Sequence, residues 1–385
     1  MRNNKLVRVG VIFGGASSEH SISCLTAAGV LRALDRGQYE VVPIGITRDG
    51  TWWFVQDQPE LLEPKLLNER GRRRYVMPEV SVAMGRYKFR SNVVKLSAEH
   101  GGLDLDVALP LLHGPYGEDG SIQGLFEMLG VKYVGCGILA SAIGQDKHFT
   151  KIVCTQAGLK VAPWVTFRVQ LVESEKGLMK LDKNFKLPEK VTQKVTEFSE
   201  NWKQAVFVKP ARAGSSFGIS KVYKEQGLLP AIEKAASVDT KVIVEQLIDG
   251  REIECAVLGN YYGAKTSTLG EIKTIKSDFY DYKAKYISKG GVELVVDPTI
   301  DHKNRERCLE VAQRTFEALD AEGLSRVDMF LTSKGDVFVN EVNTLPGFTE
   351  SSMFPSLVAN DGMDFSQLLN TLIQEALSRP EERLR

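Results

Sequence analysis

Residues 326–347, RVDMFLTSKGDVFVNEVNTLPG, restrict the fold more than any other stretch of the chain. Two alternating runs, 326–332 and 337–343, flank Ser333-Lys334-Gly335-Asp336, whose composition reads as a β-hairpin turn. With Lys334-Gly335 as a two-residue loop, Ser333 faces Asp336, Asp328 falls opposite Glu341, and Arg326 falls opposite Asn343. Side chains alternate faces with period 2, so Asp328, Glu341 and Asn343 share one face with Arg326 beside them. Three oxygen ligands next to a guanidinium suit a hard cation such as Mg²⁺ carrying phosphate. A solvated hairpin face accounts for the same pattern, and the rest of the chain has to decide.

At 385 residues the chain is long enough for two or three domains with a substantial core. Lysine plus arginine and aspartate plus glutamate both number 49, which argues against a broad nucleic-acid or anionic-membrane surface but leaves room for local basic pockets. The five cysteines, Cys24, Cys136, Cys154, Cys255 and Cys308, are scattered and form no CxxC pair, so neither a disulfide framework nor a zinc site is expected. The apolar stretch Leu6–Phe13 is interrupted by Arg8 and is too short for a signal-peptide core. No run approaches the roughly 18 apolar residues of a membrane span. The expectation is a cytoplasmic protein acting on small molecules, with no nucleic-acid or membrane partner.

Leu6–Phe13 has the pattern of a buried strand, followed by Gly14-Gly15-Ala16-Ser17-Ser18-Glu19-His20 and a helical run over Ile22–Leu34. Strand, glycine-rich turn and helix open a βαβ unit whose loop can offer backbone N–H groups to an anion, or can simply be a tight turn. The sequence is not GxGxxG, which weakens a dinucleotide reading. Glu19 suits a ligand ammonium; an ordinary first-turn acid is the alternative. A second strand, Glu40–Ile46, ends in a turn at Arg48-Asp49-Gly50, and residues 56–100 read as solvated surface. A third strand, Asp106–Leu111, delivers His113 and a glycine-rich segment, where an open α/β sheet places ligand contacts. A lone histidine there is either structural or functional.

The spacing predicts one helix from Ser141 to about Ala157, stopped by Gly158. Lys147 and Lys151 lie one turn apart on it, which by itself suggests only solvated lysines. Residues 171–204 read as a peripheral loop and helix. Strands over 206–210 and 219–223 then flank Ala211-Arg212-Ala213-Gly214-Ser215-Ser216-Phe217-Gly218. Such a loop can fold its backbone N–H groups over phosphates while Lys209 supplies charge; a plain hairpin loop is the alternative. Further on, Glu245–Ile248 can offer backbone groups to an adenine edge, and Glu252 a carboxylate to ribose hydroxyls. The aromatic, charged stretch 277–291 reads as a loop closing over a site or as an exposed one.

Taken in order, GGASSEH, HGPYGEDGSIQG, QDK, VKPARAGSSFG, VEQLIDGREIE, FYDYKAKY, RVDMF and NEVNTLPGFTESS resemble the D-alanine–D-alanine ligase family of ATP-grasp enzymes, from about Val7 to Leu377. The resemblance implies an α/β fold in three parts. These are an N-terminal open parallel sheet (1–146), a central ATP-grasp subdomain with the loop 211–218 (147–243), and a C-terminal ATP-grasp subdomain with the lid 277–291 and the hairpin 326–343 (244–385), ATP lying between antiparallel sheets.

The resemblance also implies roles. Lys147, Lys209, Ser215, Ser216 and Lys285 would contact ATP phosphates, while Glu245, Ile248 and Glu252 would hold adenine and ribose. Asp328, Glu341 and Asn343 would bind two Mg²⁺, or Mn²⁺. Glu19, linked through Ser215 and Tyr286, would position the first D-alanine near His113 and Lys285. Ser352 and Met353 would receive the second D-alanine, and Arg326 with the Gly347 N–H would stabilise the tetrahedral intermediate. The implied reaction joins two D-alanines for peptidoglycan synthesis in a homodimeric enzyme. Tyr286 favours D-alanine over D-lactate or D-serine as second substrate. An oxidoreductase, which the Gly14-Gly15 turn could mark, would leave the loop and the hairpin carboxylates unused; a non-catalytic ATP-binding regulator is the third reading. Departures from the family pattern stand at Ser21, Cys24, Gln145 and Ala213.

Overall fold

A computed structural model describes residues 6–62, 81–82, 95–98, 101–173, 179–182, 184–214, 216–260, 262–274, 292–350 and 352–380. The chain opens with β1 (Val7–Gly14), α1 (His20–Ala33) and β2 (Tyr39–Ile46), β2 returning parallel to β1. The near-continuous apolar run of β1 suits a central strand covered on both faces. β3 (Trp52–Phe54) adds antiparallel at the edge. The segments β4 (Ser81–Val82), β5 (Lys95–Ala98) and β6 (Gly101–Asp104) make a separate antiparallel sheet. β7 (Val107–Pro110) then pairs parallel with the other side of β1, and after α2 (Ser121–Leu129), β8 (Lys132–Tyr133) pairs parallel with β7. In the order β3-β2-β1-β7-β8, strands are added first on one side of β1 and then, from β7, on the other. The carboxyl ends of β1 and β7 form the crevice where such sheets bind ligands.

The expectation of plain solvated surface over 56–100 needs correction. Leu62, in a 3₁₀ turn at Pro59–Leu62, is buried in the core beneath α1, and three strands form within or beside that stretch.

The single helix expected over 141–157 is two, α3 (Ile138–Gln145) and α4 (Lys147–Gln156). Asp146 breaks them with an extended backbone, and its carboxylate accepts from the N–H groups of His148 and Phe149 at 3.1 and 3.4 Å. An aspartate with free N–H groups ahead of it is a strong N-cap, but no proline marks the break in sequence, and Gly144 lies inside α3. Next come β9 (Trp164–Arg168), the ribbon β10 (Leu171–Glu173) and β11 (Met179–Leu181), α5 (Glu189–Phe198), β12 (Val206–Pro210), β13 (Ser220–Val222), α6 (Leu228–Ala236) and β14 (Lys241–Gln246). An antiparallel sheet in the order β13-β12-β14-β9 is covered by α5 and α6 through Val195, Leu228 and Ile232.

Although β14 and β15 (Arg251–Asn260) are adjacent in sequence, they belong to different sheets. The third sheet has the order β17-β16-β15-β18-β19, from β16 (Gly263–Thr274), β17 (Val292–Val296), β18 (Gly323–Leu331) and β19 (Val337–Asn343). α7 (His302–Ala318) covers it through Cys308, Ala312 and Phe316, and α3 and α4 add Ala140 and Cys154 to the same core. α8 (Met353–Asn360) and α9 (Phe365–Ser378) close back on the start of the chain, with Phe354, Leu357, Leu368 and Ile373 sharing a core with Val9, Ala27 and Leu31. Among the described residues no helix is long and apolar enough to cross a membrane.

The hairpin has the expected register at its functional end and a different turn. Asp328 pairs with Glu341 and Arg326 with Asn343, but Leu331 pairs with Val337. Thr332 N–H donates to Asp336 O at 2.9 Å, so the loop holds three residues, Ser333 to Gly335, with Gly335 at φ +80°. A three-residue hairpin loop with a left-handed last residue accounts for the glycine. The register shifts back between Met329↔Val339 and Asp328↔Glu341, leaving Asn340 as the extra residue of a bulge. Loop and bulge each move the pairing by one, and the two shifts cancel at the site.

Candidate active site

Pairing across β15, β18 and β19 puts Glu254, Asp328 and Glu341 in one row, with Ala256, Arg326 and Asn343 in the next. Carboxylates directly opposite one another on a sheet repel, so the row needs cations. Arg326 supplies one. Its Nε and Nη2 donate to the two oxygens of Asp328, both at 2.7 Å, and Nη2 lies 3.3 Å from Glu254 Oε1. Asn343 Nδ2 also donates to Asp328 Oδ2 at 2.9 Å. Burial opposes the charge on Arg326, but Asp328 and Glu254 more than offset it and hold the guanidinium pKa well above its ordinary value.

Lys147 supplies the second cation. At the start of α4, its Nζ lies 3.2 Å from Glu341 Oε2 and donates to Ala213 O, in the serine-glycine loop, at 2.7 Å. The hairpin of the third sheet and the loop of the second therefore meet at one ammonium. Arg212 anchors that loop: its backbone N–H and Nε donate to Asp239 Oδ2 at 3.0 Å each, and Nη2 donates to Oδ1 at 2.7 Å. Lys241 N–H also donates to Asp239, and Lys241 Nζ reaches both oxygens of Asp146, at 2.8 and 2.6 Å. Ser216, in the same loop, has φ 58°, an uncommon value for a residue with a side chain.

On the second sheet, Glu245 is buried between two lysines. Lys151 Nζ lies 3.1 Å from its Oε2, and Lys209 Nζ contacts its Oε1. Burial pushes the Glu245 carboxyl up, but Lys151 and Lys209 overcome this and hold it at about 2. Burial pushes Lys151 down, only partly countered by Glu245. Neither Lys147 nor Lys151 is solvated as the helical spacing suggests; Lys151 is 1% exposed. Ile248 follows β14, and Glu252 lies near the start of β15.

At the carboxyl ends of β1 and β7, Glu19 precedes α1 and His113 follows β7. The two loops touch, since a Cβ on Gly114 would stand 3.0 Å from Glu19 Oε2. His113 is buried, with Nε2 3.3 Å from Thr26 Oγ1 and Nδ1 3.6 Å from Glu118 Oε1. Burial works against the imidazolium, yet Glu118 and the nearby Glu19 hold the His113 pKa above its ordinary value. Burial raises the pKa of Glu118, which His113 only partly offsets. A Cβ on Gly347 would stand 3.2 Å from Ser352 Oγ, so Gly347 adjoins the residue that precedes α8. Thr349 N–H donates to that Oγ at 3.2 Å, and the Met353 side chain is packed in the core.

Residues 8–136 match the family D-ala D-ala ligase N-terminus, and residues 153–374 match D-ala D-ala ligase C-terminus. The chain belongs to the D-alanine–D-alanine ligase family. It is 44% identical to the D-alanine–D-alanine ligase of Kineococcus radiotolerans, over 97% of both chains. Among solved structures it is similar to the VanG D-Ala:D-Ser ligase of Enterococcus faecalis, at 34% identity and TM-score 0.80, covering 97% of this chain and all of that one. The D-alanine–D-alanine ligase of Bacillus anthracis complexed with ATP has 26% identity and TM-score 0.67, covering 96% of this chain and 97% of that one.

Of the ligase-family residues singled out in sequence, Lys147, Arg326, Asp328, Glu341 and Asn343 come together, while Lys209 and Glu245 form a second cluster. Ser215, Lys285, Tyr286 and the stretch 277–291 lie outside the described residues. Sequence reasoning gave no role to Lys151, Glu118, Asp239 or Glu254. For Glu254 a signal existed, because a second acid two residues after Glu252 in an otherwise apolar strand shares its face. For Lys151 there was none.

Proposed function

We propose that this ligase-family chain joins two D-alanines at the expense of ATP, through a D-alanyl phosphate, to supply D-alanyl-D-alanine for peptidoglycan. The observation that carries the reading is Lys147 Nζ, shared between Ala213 O of the serine-glycine loop and Glu341 of the hairpin. A lysine at that junction is suited to the phosphates of ATP. The 44% identity to a D-alanine–D-alanine ligase over nearly the whole chain supports the substrate.

In this reading a carboxylate oxygen of the first D-alanine attacks the γ-phosphorus of ATP, ADP leaves, and the acyl phosphate is held until the second amine attacks its carbonyl carbon. Inorganic phosphate then leaves and the amine loses a proton. Glu19 faces the first amino acid's ammonium, beside His113. The N-terminus of α8 at Ser352, with the Met353 backbone, receives the second carboxylate, a favourable place for an anion. Arg326 and the Gly347 N–H meet the charge that develops on the carbonyl oxygen. Lys147 and Lys209, with Ser215, Ser216 and Lys285, hold the phosphates. The Glu245 carboxylate, engaged by two lysines, sets Lys209 in place. The adenine edge then falls to the backbone near Ile248, and the ribose to Glu252. Tyr286 and the lid 277–291 exclude water from the acyl phosphate.

Asp328, Glu341 and Asn343 offer two carboxylates and an amide oxygen, a donor set for Mg²⁺ or Mn²⁺. Among the described residues no three histidine, cysteine, aspartate or glutamate side chains are arranged to hold a metal ion by themselves, so a pair of ions would need the phosphates to complete its shell. Bound metal supplies charge neutralisation to the transferring phosphoryl group. The three-part division at 1–146, 147–243 and 244–385 is supported by one main sheet in each part, with β14 running on to Gln246. A homodimer is supported by exposed Met128, Ile138 and Leu139 on α2 and α3, and sedimentation velocity tests it.

The deciding assay measures phosphate release from Mg-ATP together with product mass, using D-alanine, D-alanine with D-serine or D-lactate, and L-alanine. Phosphate and D-alanyl-D-alanine in equal amounts with D-alanine alone are expected. Preferential mixed product would assign the sister specificity, and no release with any amino acid would overturn the ligase reading.

A further inference from the structure

Arg326 is gripped by two carboxylates from different strands, and only one of them belongs to the proposed metal set. Asp328, two residues along β18, takes Nε and Nη2; Glu254, on β15, takes the remaining reach of Nη2. None of these bonds uses Nη1. Glu254 is 2% exposed and lies directly across from Asp328 in the pairing of β15 with β18. A carboxylate has about four acceptor sites, and Asp328 already receives three donors, two from Arg326 and one from Asn343. Sharing Asp328 with a cation weakens its hold on the guanidinium at the moment Arg326 is needed. Glu254 lies on the far strand of the row and is outside the donor set assigned to that cation.

We propose that Glu254 is a positioning residue for the ligation step: it fixes the guanidinium of Arg326 from behind, so that the Nη1 edge stays aimed at the reacting carbonyl while Asp328 serves the metal. This rests on the ligase reading of the site. It assigns to Glu254 no contact with substrate, and it separates two jobs that would otherwise fall to Asp328 alone. An electrostatic hold of this kind depends on the charge of residue 254 as well as its volume.

Two variants test it, Glu254→Gln, which keeps the shape, and Glu254→Leu, which removes the acceptor. Loss of a hydrogen bond to a charged group predicts dipeptide formation slower by on the order of 10–100-fold in Glu254→Leu and less in Glu254→Gln. The KM for ATP should stay within about twofold, because the phosphate-side residues are untouched. Acyl phosphate that waits for a misaimed Arg326 is lost to water, so phosphate released per dipeptide should rise above one. A ratio that stays at one, with losses in rate matched by losses in folded protein, would overturn the proposal. A second readout does not need the reaction. In ligand-free protein, ¹⁵N NMR of the Arg326 side chain should report slow guanidinium rotation in the wild type and fast rotation in Glu254→Leu. Unchanged rotation overturns the proposal whatever the enzyme's substrate, whereas absent phosphate release by the wild type with D-alanine counts against the ligase reading alone.

Discussion

The two halves of the site carry opposite surpluses of charge. On the hairpin side, Glu254, Asp328 and Glu341 face Arg326 and Lys147, three carboxylates to two cations. On the second sheet, Lys151 and Lys209 face Glu245, two cations to one carboxylate. Each cluster is internally bonded, yet among the described residues neither is neutral. In the ligase reading proposed above, a metal–triphosphate carries both signs and would match the pair, with the cation drawn to the acidic row and the phosphates to the basic side. The contrast also separates function from stability. The basic cluster is sealed in the sheet, with Glu245 only 3% exposed, whereas the Glu341 side chain remains partly accessible.

The largest effect expected from breaking this contrast is on stability. Lys151→Met leaves Glu245 with Lys209 alone and should cost about 3–5 kcal/mol, the usual penalty for removing one partner of a buried ion pair. Chemical denaturation measures it, with ATP-analogue binding as a check on the remaining site. A loss under about 1 kcal/mol, typical of a surface pair, would mean that Lys151 is not part of the buried cluster. On the acidic side the matching change is Arg326→Ala. Turnover should fall on the order of 10²–10³-fold, as for loss of one oxyanion donor, while ATP binding is little changed. Near-normal turnover would remove Arg326 from the reaction.

The two clusters differ in how far sequence discloses them. Period-2 alternation placed Asp328, Glu341 and Asn343 on one face, because register is a local property of a hairpin. That reading reached the right pairing through a two-residue loop that does not exist, since the third loop residue and the bulge at Asn340 cancel. The partners in the basic cluster come from α4, β12 and β14, and no local periodicity relates Lys151 to Glu245. The break at Asp146 was hidden because helical spacing runs straight through it; its cap bonds are local, from His148 and Phe149, and Lys241, 95 residues later, holds the same carboxylate. The glycine-rich loops and the strand-turn-helix opening were legible because they depend on backbone conformation within a few residues.

Acid and base should act on different parts of the molecule. Glu245 is held at about 2 in the fold against an ordinary value of 4.5, so its contribution to stability is complete above 4.5 and is lost as pH falls toward 2. In Lys151→Met that loss should be smaller and complete at higher pH, because one of the cations depressing the carboxyl is gone. His113 has the opposite sign: its folded pKa is raised above 6.5, so its contribution is complete below 6.5 and is lost as pH rises through the folded value. Melting temperatures across pH should therefore show an acid limb that responds to residue 151. The limb at rising pH should disappear in His113→Asn. An acid limb identical in wild type and Lys151→Met would contradict the assigned cluster.

The smallest change asks whether the acidic row depends on the turn that leads to it. Gly335 has φ +80°, and a left-handed conformation costs roughly 1–2 kcal/mol for a residue with a Cβ. A Cβ there would also stand 2.6 Å from Asn304 Oδ1, a side-chain atom that can move aside. Gly335→Ala should therefore lower stability by about that backbone cost, with the loss seen in thermal unfolding. Turnover should remain near the wild-type value, because the bulge at Asn340 lies between the turn and the pair Asp328–Glu341 and can absorb a local shift in loop geometry. If turnover instead falls in step with Arg326→Ala while ATP binding holds, the turn and the row are one rigid unit. The cancellation of loop and bulge would then be a requirement of catalysis rather than a detail of how the hairpin closes.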